Sequence, residues 1–255
     1  MSDTQRAERL LEFSGEMGKR LIKNGAEMYR VEESLQLILT AFGVHNVKVF
    51  AIPSIIMISF KLNDHLYAGQ FRLKGNGINL ERLEQLNALS RRICAGELTL
   101  EQSETELAAI LSRKQYPAAV SYIAFGIVAF LFTLFWGGTL LDAAIAFPCG
   151  LVTKHTTTLA KRFQTNLFFS NVLSGCFSAV LPILLGQFFP AVHTDMIIIG
   201  TIMLLVPGIA IANVMRDVLA GDTLTALTRL TEVLIVGVGV AVGIAIPLAL
   251  LRAVL

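Results

Sequence analysis

Residues 117–136, PAAVSYIAFGIVAFLFTLFW, decide the fold class. No charged residue lies between Lys114 and Asp142, and as a helix this run is long enough to cross a hydrocarbon core of ~30 Å. Two other runs read the same way: 167–189, inside a charge-free stretch from Phe163 to Thr194, and 233–251 towards the C-terminal end. A fourth, 196–215, stops at Arg216-Asp217. A fifth, 139–158, has Asp142 near one end and Lys154 near the other, so its standing depends on where the charges belong.

Composition agrees with those runs. The chain has 255 residues, of which 54% are apolar and 16% charged, against about 45–50% and about 25% in soluble domains. Its charge is also uneven: residues 1–116 hold 29 of the 40 Lys, Arg, Asp and Glu, and the rest hold 11. This excludes a disordered chain, a nucleic-acid-binding protein and a secreted disulfide scaffold. It predicts a soluble domain over 1–116 followed by an integral membrane α-helical domain over 117–255. Cys94, Cys149 and Cys176 are too few and scattered for a disulfide framework and include no C-x-x-C pair. The first residues, MSDTQRAERLLEFSGEMGKR, contain no apolar run of the signal-peptide kind, so internal spans are expected to drive insertion.

The positive-inside rule settles the fifth run. With five transmembrane helices and a cytoplasmic N-terminal domain, Lys154, Lys161, Arg162, Arg216 and Arg229 all lie inside, and the outer loops near Gly137-Gly138 and 187–195 hold no Lys or Arg. With four spans the same five residues face outward. Five spans are therefore expected, with the C-terminus outside and Arg252 at the outer end of the last helix. Asp142 then belongs near the outer interface or against protein or water, since an aspartate at mid-membrane costs at least ~2.5 kcal/mol.

In the soluble part, Leu10, Phe13, Met17 and Leu21 recur at spacings of three and four, the stripe of a helix over 5–24. A second helix is expected from Asn24-Gly25-Ala26-Glu27, with Asn24 capping its amides and Glu27 returning the bond. Met28, Val31, Leu35, Ile38 and Phe42 would form its buried face. VKVFAIPSIIMISFKL and HLYAGQFRLK then read as a β-hairpin turned at Asn63-Asp64, with Pro53 demoting or interrupting the first strand. Helices near 79–95 and 99–114 follow, the second with a Thr99…Gln102 capping box. The order ααββαα describes a small cytoplasmic α+β domain, leading through Arg113-Lys114-Gln115-Tyr116-Pro117, a basic and aromatic segment of the interfacial type, into the membrane.

The chemistry concentrates in residues 205–229, LVPGIAIANVMRDVLAGDTLTALTR. Proline within an apolar span frees carbonyls that lipid cannot satisfy, so the break must face protein or a wet cavity. Carriers build sites at such breaks, although Pro207-Gly208 alone also fits a packing kink. Asn213, Asp217 and Gly221 follow at spacings of four, near one helix face, and Arg229 can pair with an acid nearby.

Here the sequence resembles the threonine/serine exporter family, whose signature of Leu-Val-Pro-Gly, Asn, Asp, Gly and Arg appears as Leu205-Val206-Pro207-Gly208, Asn213, Asp217, Gly221 and Arg229. A second match, the family's Gly-Ala…Arg-Val-Glu pattern, appears as Gly25-Ala26-Glu27 and Arg30-Val31-Glu32. Length and span count resemble the larger subunit of the family's split form. That resemblance implies a multi-pass protein of the bacterial inner membrane, with a smaller membrane partner and succinate export; the span count puts the C-terminus in the periplasm. Fused relatives export threonine and serine. A secondary carrier coupled to the proton gradient is the expected class, with no cofactor, no metal and no nucleic-acid partner.

The substrate or coupling candidates are Pro207, Gly208, Asn213, Arg216, Asp217 and Arg229. Asp217 could carry a proton or balance Arg229, and Arg216 or Arg229 could attract a carboxylate from the cytoplasm. The alternative is that Arg216, Asp217 and Asp222 are ordinary charges at the membrane edge. Asp142, Gly221 and Glu232 are weaker candidates: Asp142 accepts an exported proton or caps its helix, and Glu232 lies outside the signature. Arg30, Glu32 and Glu33 read as solvated helix pairs or as a docking or gating surface. Gly237-Val238-Gly239-Val240-Ala241-Val242-Gly243 is no dinucleotide fingerprint, but its Gly239…Gly243 spacing suits close helix packing, within the chain or against another subunit such as a second copy. His45, His65, His155 and His193 have no metal-ligand spacing, and there is no H-E-x-x-H, G-x-S-x-G or P-loop. The rival functions are a regulatory or docking membrane subunit that transports nothing, and a membrane-embedded protease using Asp217 with Asp222.

Overall fold

The structure, a computed structural model, describes residues 3–73, 77–113, 116–163, 165–189 and 191–254. Lys114 and Gln115 of the expected interfacial segment lie outside the described residues, as do the side chains of Lys161 and Arg252. The chain divides into two compact bodies, Met1–Lys114 with Ala212–Arg229, and Gln115–Ile211 with Leu230–Leu255.

In the first body, α1 (Asp3–Lys23) and α2 (Met28–Ala41) precede an antiparallel sheet in the order β1 (His45–Ile52), β2 (Ile55–Leu62), β3 (His65–Arg72), with α3 (Leu80–Cys94) and α4 (Leu100–Ser112) after it. The expected stripes form the core: Leu10, Phe13, Met17 and Leu21 of α1 and Met28, Val31, Leu35 and Ile38 of α2 are all buried. They meet Val49, Ala51, Ile56, Ile58, Phe60 and Leu62, the inward half of the strands' alternation. The Thr99–Gln102 capping box is present at the start of α4.

Two local expectations change. The apolar run around Pro53 is two strands, folded back at Pro53-Ser54 so that Ile52 pairs with Ile55. Proline has no amide to give a ladder and its fixed φ suits a turn, so the hairpin becomes a three-stranded meander. Its other turn is the expected Asn63-Asp64, with φ of 48° and 62°, positive at both positions as a tight type I′ hairpin turn requires. The second change is at Asn24, which closes α1 rather than capping α2: its Nδ2 donates to Arg20 O at 2.6 Å. The N-cap of α2 is Glu27, whose side chain makes no capping bond.

The second body contains α5 (Ala118–Phe135), α6 (Leu140–Arg162), α7 (Leu167–Phe188), α8 (Thr194–Ile202), the start of α9 (Gly208–Leu219) and all but the first residues of α10 (Thr223–Val254). Small and hydroxyl side chains fill its interior, among them Ala129, Thr133, Ala143, Ala146, Cys149, Thr153, Ser174 and Ser178. Large apolar residues such as Ile123, Ile127, Leu131, Phe169 and Leu173 are exposed. Small inside and large outside is the packing of helices in lipid, where burying Leu gains little and close backbone approach gains most.

Three helical segments are long and apolar enough to cross a membrane among the described residues: Ala118–Phe135, Leu167–Phe188 and Thr223–Leu250. The five expected spans are thus met in length and composition at three places. α6 covers the doubtful 139–158 run as one 23-residue helix containing Pro148, but Lys154-His155-Thr156-Thr157-Thr158 makes its C-terminal part polar. The run 196–215 is not one helix. It is α8 and α9 separated by residues 203–207, so the Pro207-Gly208 position is a full break and not a kink. The missing amide of Pro207 and the restricted conformation of the residue before it account for the interruption.

The Gly239…Gly243 surface is used within the chain. A Cβ on Gly243 would sit 2.2 Å from Val172 O, and one on Gly175 would sit 2.8 Å from Val240 O, so α7 and α10 touch backbone to backbone. Gly243→Ala should lower the thermal midpoint of the detergent-solubilised chain by several degrees, from an overpacking cost of about 1–3 kcal/mol. Gly237→Ala, with nothing within 4 Å of its added Cβ, should leave it unchanged or raise it. Equal midpoints would contradict this packing.

Candidate functional site

The site is built from two loops of the first body, each closed by a glycine. At the end of α1, Ala26 N donates to Leu21 O at 3.0 Å across Gly25, whose φ is 102°. At the end of α9, Asp222 N donates to Asp217 O at 3.0 Å across Gly221, whose φ is 81°. Both are left-handed helix terminations that glycine adopts without a Cβ penalty. The first leaves the Gly25 and Ala26 carbonyls open to a partner. The second reverses the chain so that α10 returns Arg229 to Asp217.

Those two halves meet. Asn213 Nδ2 donates to Gly25 O at 3.4 Å, and Arg229 Nη2 donates to Ala26 O at 2.9 Å. Arg216 Nη1 forms an ion pair with Glu27 Oε1, and Arg30 Nε lies 2.7 Å from Glu27 Oε2. Arg229 Nη1 is 3.3 Å from Asp217 Oδ2, with side chains 12% and 0% exposed. Asn213, Arg216, Asp217 and Arg229 are therefore brought together, and their partner is the Gly-Ala-Glu segment of the other sequence motif. Removing Arg229 would leave a buried carboxylate uncompensated, a change that costs about 3–5 kcal/mol in proteins.

The polar atoms of this cluster are not all satisfied. Both carboxylate oxygens of Asp217, Arg229 Nη1, Glu27 Oε2 and Thr225 Oγ1 are buried without a hydrogen bond among the described residues. Such atoms are costly unless a proton, water or ligand group meets them. Burial pushes the Asp217 carboxyl up; Arg229 pulls it down, Asp222 and Glu27 push it up, and the net direction is up. Burial also pushes Glu27 up, but the hydrogen bonds from Arg216 and Tyr29 and the charges of Arg30 and Arg216 outweigh it and hold Glu27 below the usual range. Glu32 is raised by its own burial and by Asp222, against the bond from Ala51 N at 2.7 Å.

The other candidates lie elsewhere. Pro207 sits in the break, Gly208 opens α9 with no atom within 4 Å of where a Cβ would sit, and Gly221 forms the turn. Asp222 caps α10, its Oδ1 accepting from Thr225 N at 3.2 Å. Glu232 is half-buried on α10 in the second body. Asp142 caps α6: Thr139 N and Oγ1 both donate to its Oδ2 at 2.8 Å. It also accepts from His193 N at 2.8 Å and lies 3.0 Å from His193 Nδ1, a tie to the start of α8 that the sequence did not signal. Arg30 pairs with Glu27 at 2.7 Å, and Glu32 accepts from Ala51 N of β1 at 2.7 Å. Thr225 and the carboxylate role of Glu27 were also missed; the Gly-Ala-Glu motif was the available signal for the latter. No group of three or more His, Cys, Asp or Glu among the described residues is arranged to hold a metal ion.

The pH response follows from the signs. Asp217, raised, stabilises the packing of 212–229 fully below its ordinary pKa and ceases to do so as pH rises through the elevated value. Glu27, lowered, stabilises it above its ordinary pKa and ceases as pH falls through the depressed value. Raising pH above the ordinary aspartate range should therefore destabilise the wild-type chain more than Asp217→Asn in a thermal melt. Equal slopes for the two proteins would contradict the buried, unsatisfied state of Asp217.

Residues 12–251 match the family described as "Putative threonine/serine exporter". The chain is similar to the "Probable threonine/serine exporter" of Mycobacterium tuberculosis, 24% identical over 254 residues that cover 96% of this chain and 47% of the relative. It is similar also to the "Threonine/serine exporter" of Corynebacterium glutamicum, 22% identical over 259 residues covering 98% and 53%. The chain spans about half the length of these curated relatives. No solved structure matches it.

Proposed function

The chain belongs to the threonine/serine exporter family, and from that premise we propose that it is one subunit of a secondary exporter in the bacterial inner membrane, completed by a smaller membrane chain. The family implies a transporter and not an enzyme, and the exposed apolar helices accord with a membrane protein. The smaller partner is taken from the resemblance to the family's split form. The five-span topology is kept as part of the proposal, with α6 and the broken α8–α9 pair joining the three apolar segments. A break of this kind fits carrier architecture, where discontinuous helices border a site.

The observation that carries the site assignment is the Asp217–Arg229 pair, buried at 3.3 Å and short of hydrogen bonds. We assign Arg229 to the substrate carboxylate, with Asn213 beside it, and Asp217 to the proton or to a substrate ammonium. The family description and both curated relatives favour threonine or serine over succinate as the substrate.

Proteoliposomes holding this chain, with and without the smaller partner, and loaded with labelled threonine or succinate test the proposal. Threonine efflux should require both chains and a proton gradient. Asp217→Asn and Arg229→Ala should each cut it roughly tenfold or more, the loss expected when a charge-assisted contact of about 1.5–3 kcal/mol is removed, with insertion unchanged. Wild-type rates in both variants would contradict the site. Efflux by the partner alone would make this chain a docking or regulatory subunit.

A further inference from the structure

The sheet of the first body buries one face and leaves the other open, and the open face has an unusual composition. Its outward residues, row by row across the register, are Lys48, Ser59 and Ala68; Phe50, Met57 and Gln70; Ile52, Ile55 and Arg72; and Lys61 with Leu66. Phe50, Met57 and Leu66 are exposed, as are Lys48, Lys61 and Arg72. No Asp or Glu occurs on any of the three strands. The solvated face of an antiparallel sheet is ordinarily polar and of mixed charge, whereas this one carries exposed apolar side chains among Ser59, Gln70 and His45, and its Lys and Arg have no acid beside them on the strands. Arg72 also borders a hollow of about 220 Å³ that Lys19, Arg20 and Lys23 line, whose Glu16 is paired with Arg20 at 2.5 Å.

We propose that this face lies against an anionic phospholipid surface, with Phe50, Met57 and Leu66 entering the headgroup region and Lys48, Lys61 and Arg72 meeting lipid phosphates. Cations flanking an apolar patch are the residue pattern that interfacial surfaces use. Stacking on a second copy would set Lys48, Lys61 and Arg72 against their equivalents with no acid on the strands to answer them. Connectivity supplies the occupant: residues 113–117 alone join α4 to the apolar span α5, so the domain is held on a short leash at a bilayer whenever the chain is inserted. The inference rests on membrane anchoring and is independent of which substrate is exported.

The test uses the full chain in nanodiscs with a benzophenone side chain introduced at Met57. Light-induced adducts to phosphatidylglycerol, counted by mass spectrometry, should exceed those to phosphatidylcholine in neutral discs by roughly tenfold or more, since each cation near an anionic surface multiplies binding severalfold. The triple variant Lys48→Glu, Lys61→Glu, Arg72→Glu should abolish that excess, and about 1 M salt should shrink it by screening. If the triple variant fails to fold, Lys61→Glu alone should lower the excess severalfold. Equal yields in the two lipids, or adducts confined to a second copy or to the added partner subunit, would overturn the proposal. Failure of export in the proteoliposomes leaves this lipid readout unaffected, so the two proposals fall separately.

Discussion

A carboxylate without exposed surface imposes conditions on everything around it, and Asp217 is such a group. Its close counter-charge among the described residues is Arg229 at 3.3 Å, and Arg229 is itself held by the Ala26 carbonyl. That carbonyl is available because α1 ends in a left-handed glycine turn at Gly25. Each element is thus needed by another: the Gly25 turn presents acceptors, the Gly221 turn returns α10 to α9, and Arg216 answers the buried Glu27. Buried ions tolerate little slack, because losing one partner costs far more than the pair contributes. The two sequence motifs, separated by nearly the whole chain, are linked for this reason.

Residual dissatisfaction matters as much as the pairing. A structural ion network would be expected to bond its oxygens fully, yet both Asp217 oxygens and Thr225 Oγ1 make no hydrogen bond among the described residues. Groups left in this condition at a raised pKa are suited to taking up a proton or a ligand. Asp142 is the instructive contrast, since Thr139 and His193 occupy both of its oxygens and leave it a structural cap and tether.

Much of this architecture was legible from residue pattern. The stripes of α1 and α2 emerged as core because a spacing of three and four admits only one buried helix face. The membrane segments were evident wherever apolar runs were long and charge-free. What pattern could not show was interruption and distance. Pro207 was visible as a helix breaker, but whether it kinks or fully breaks depends on whether neighbours supply the lost bonds. Pro53 likewise split one apparent strand into two. Glu27 occupied a capping-box position that its carboxylate does not use, because Arg216 offers a charged donor and Arg30 a second positive charge. That Ala212–Arg229 belongs with the N-terminal residues depended on contacts across almost 200 positions, to which local periodicity carries no information.

The central claim is that the Gly25–Glu27 segment and the α9–α10 turn act as one unit. A double-mutant cycle of Glu27→Gln and Arg216→Gln, read as thermal stability of the full chain in detergent, measures that coupling directly. The account predicts that the double variant loses less than the sum of the two singles, with an interaction energy of about 1 kcal/mol or more, as for residues in direct contact. Strict additivity would contradict it.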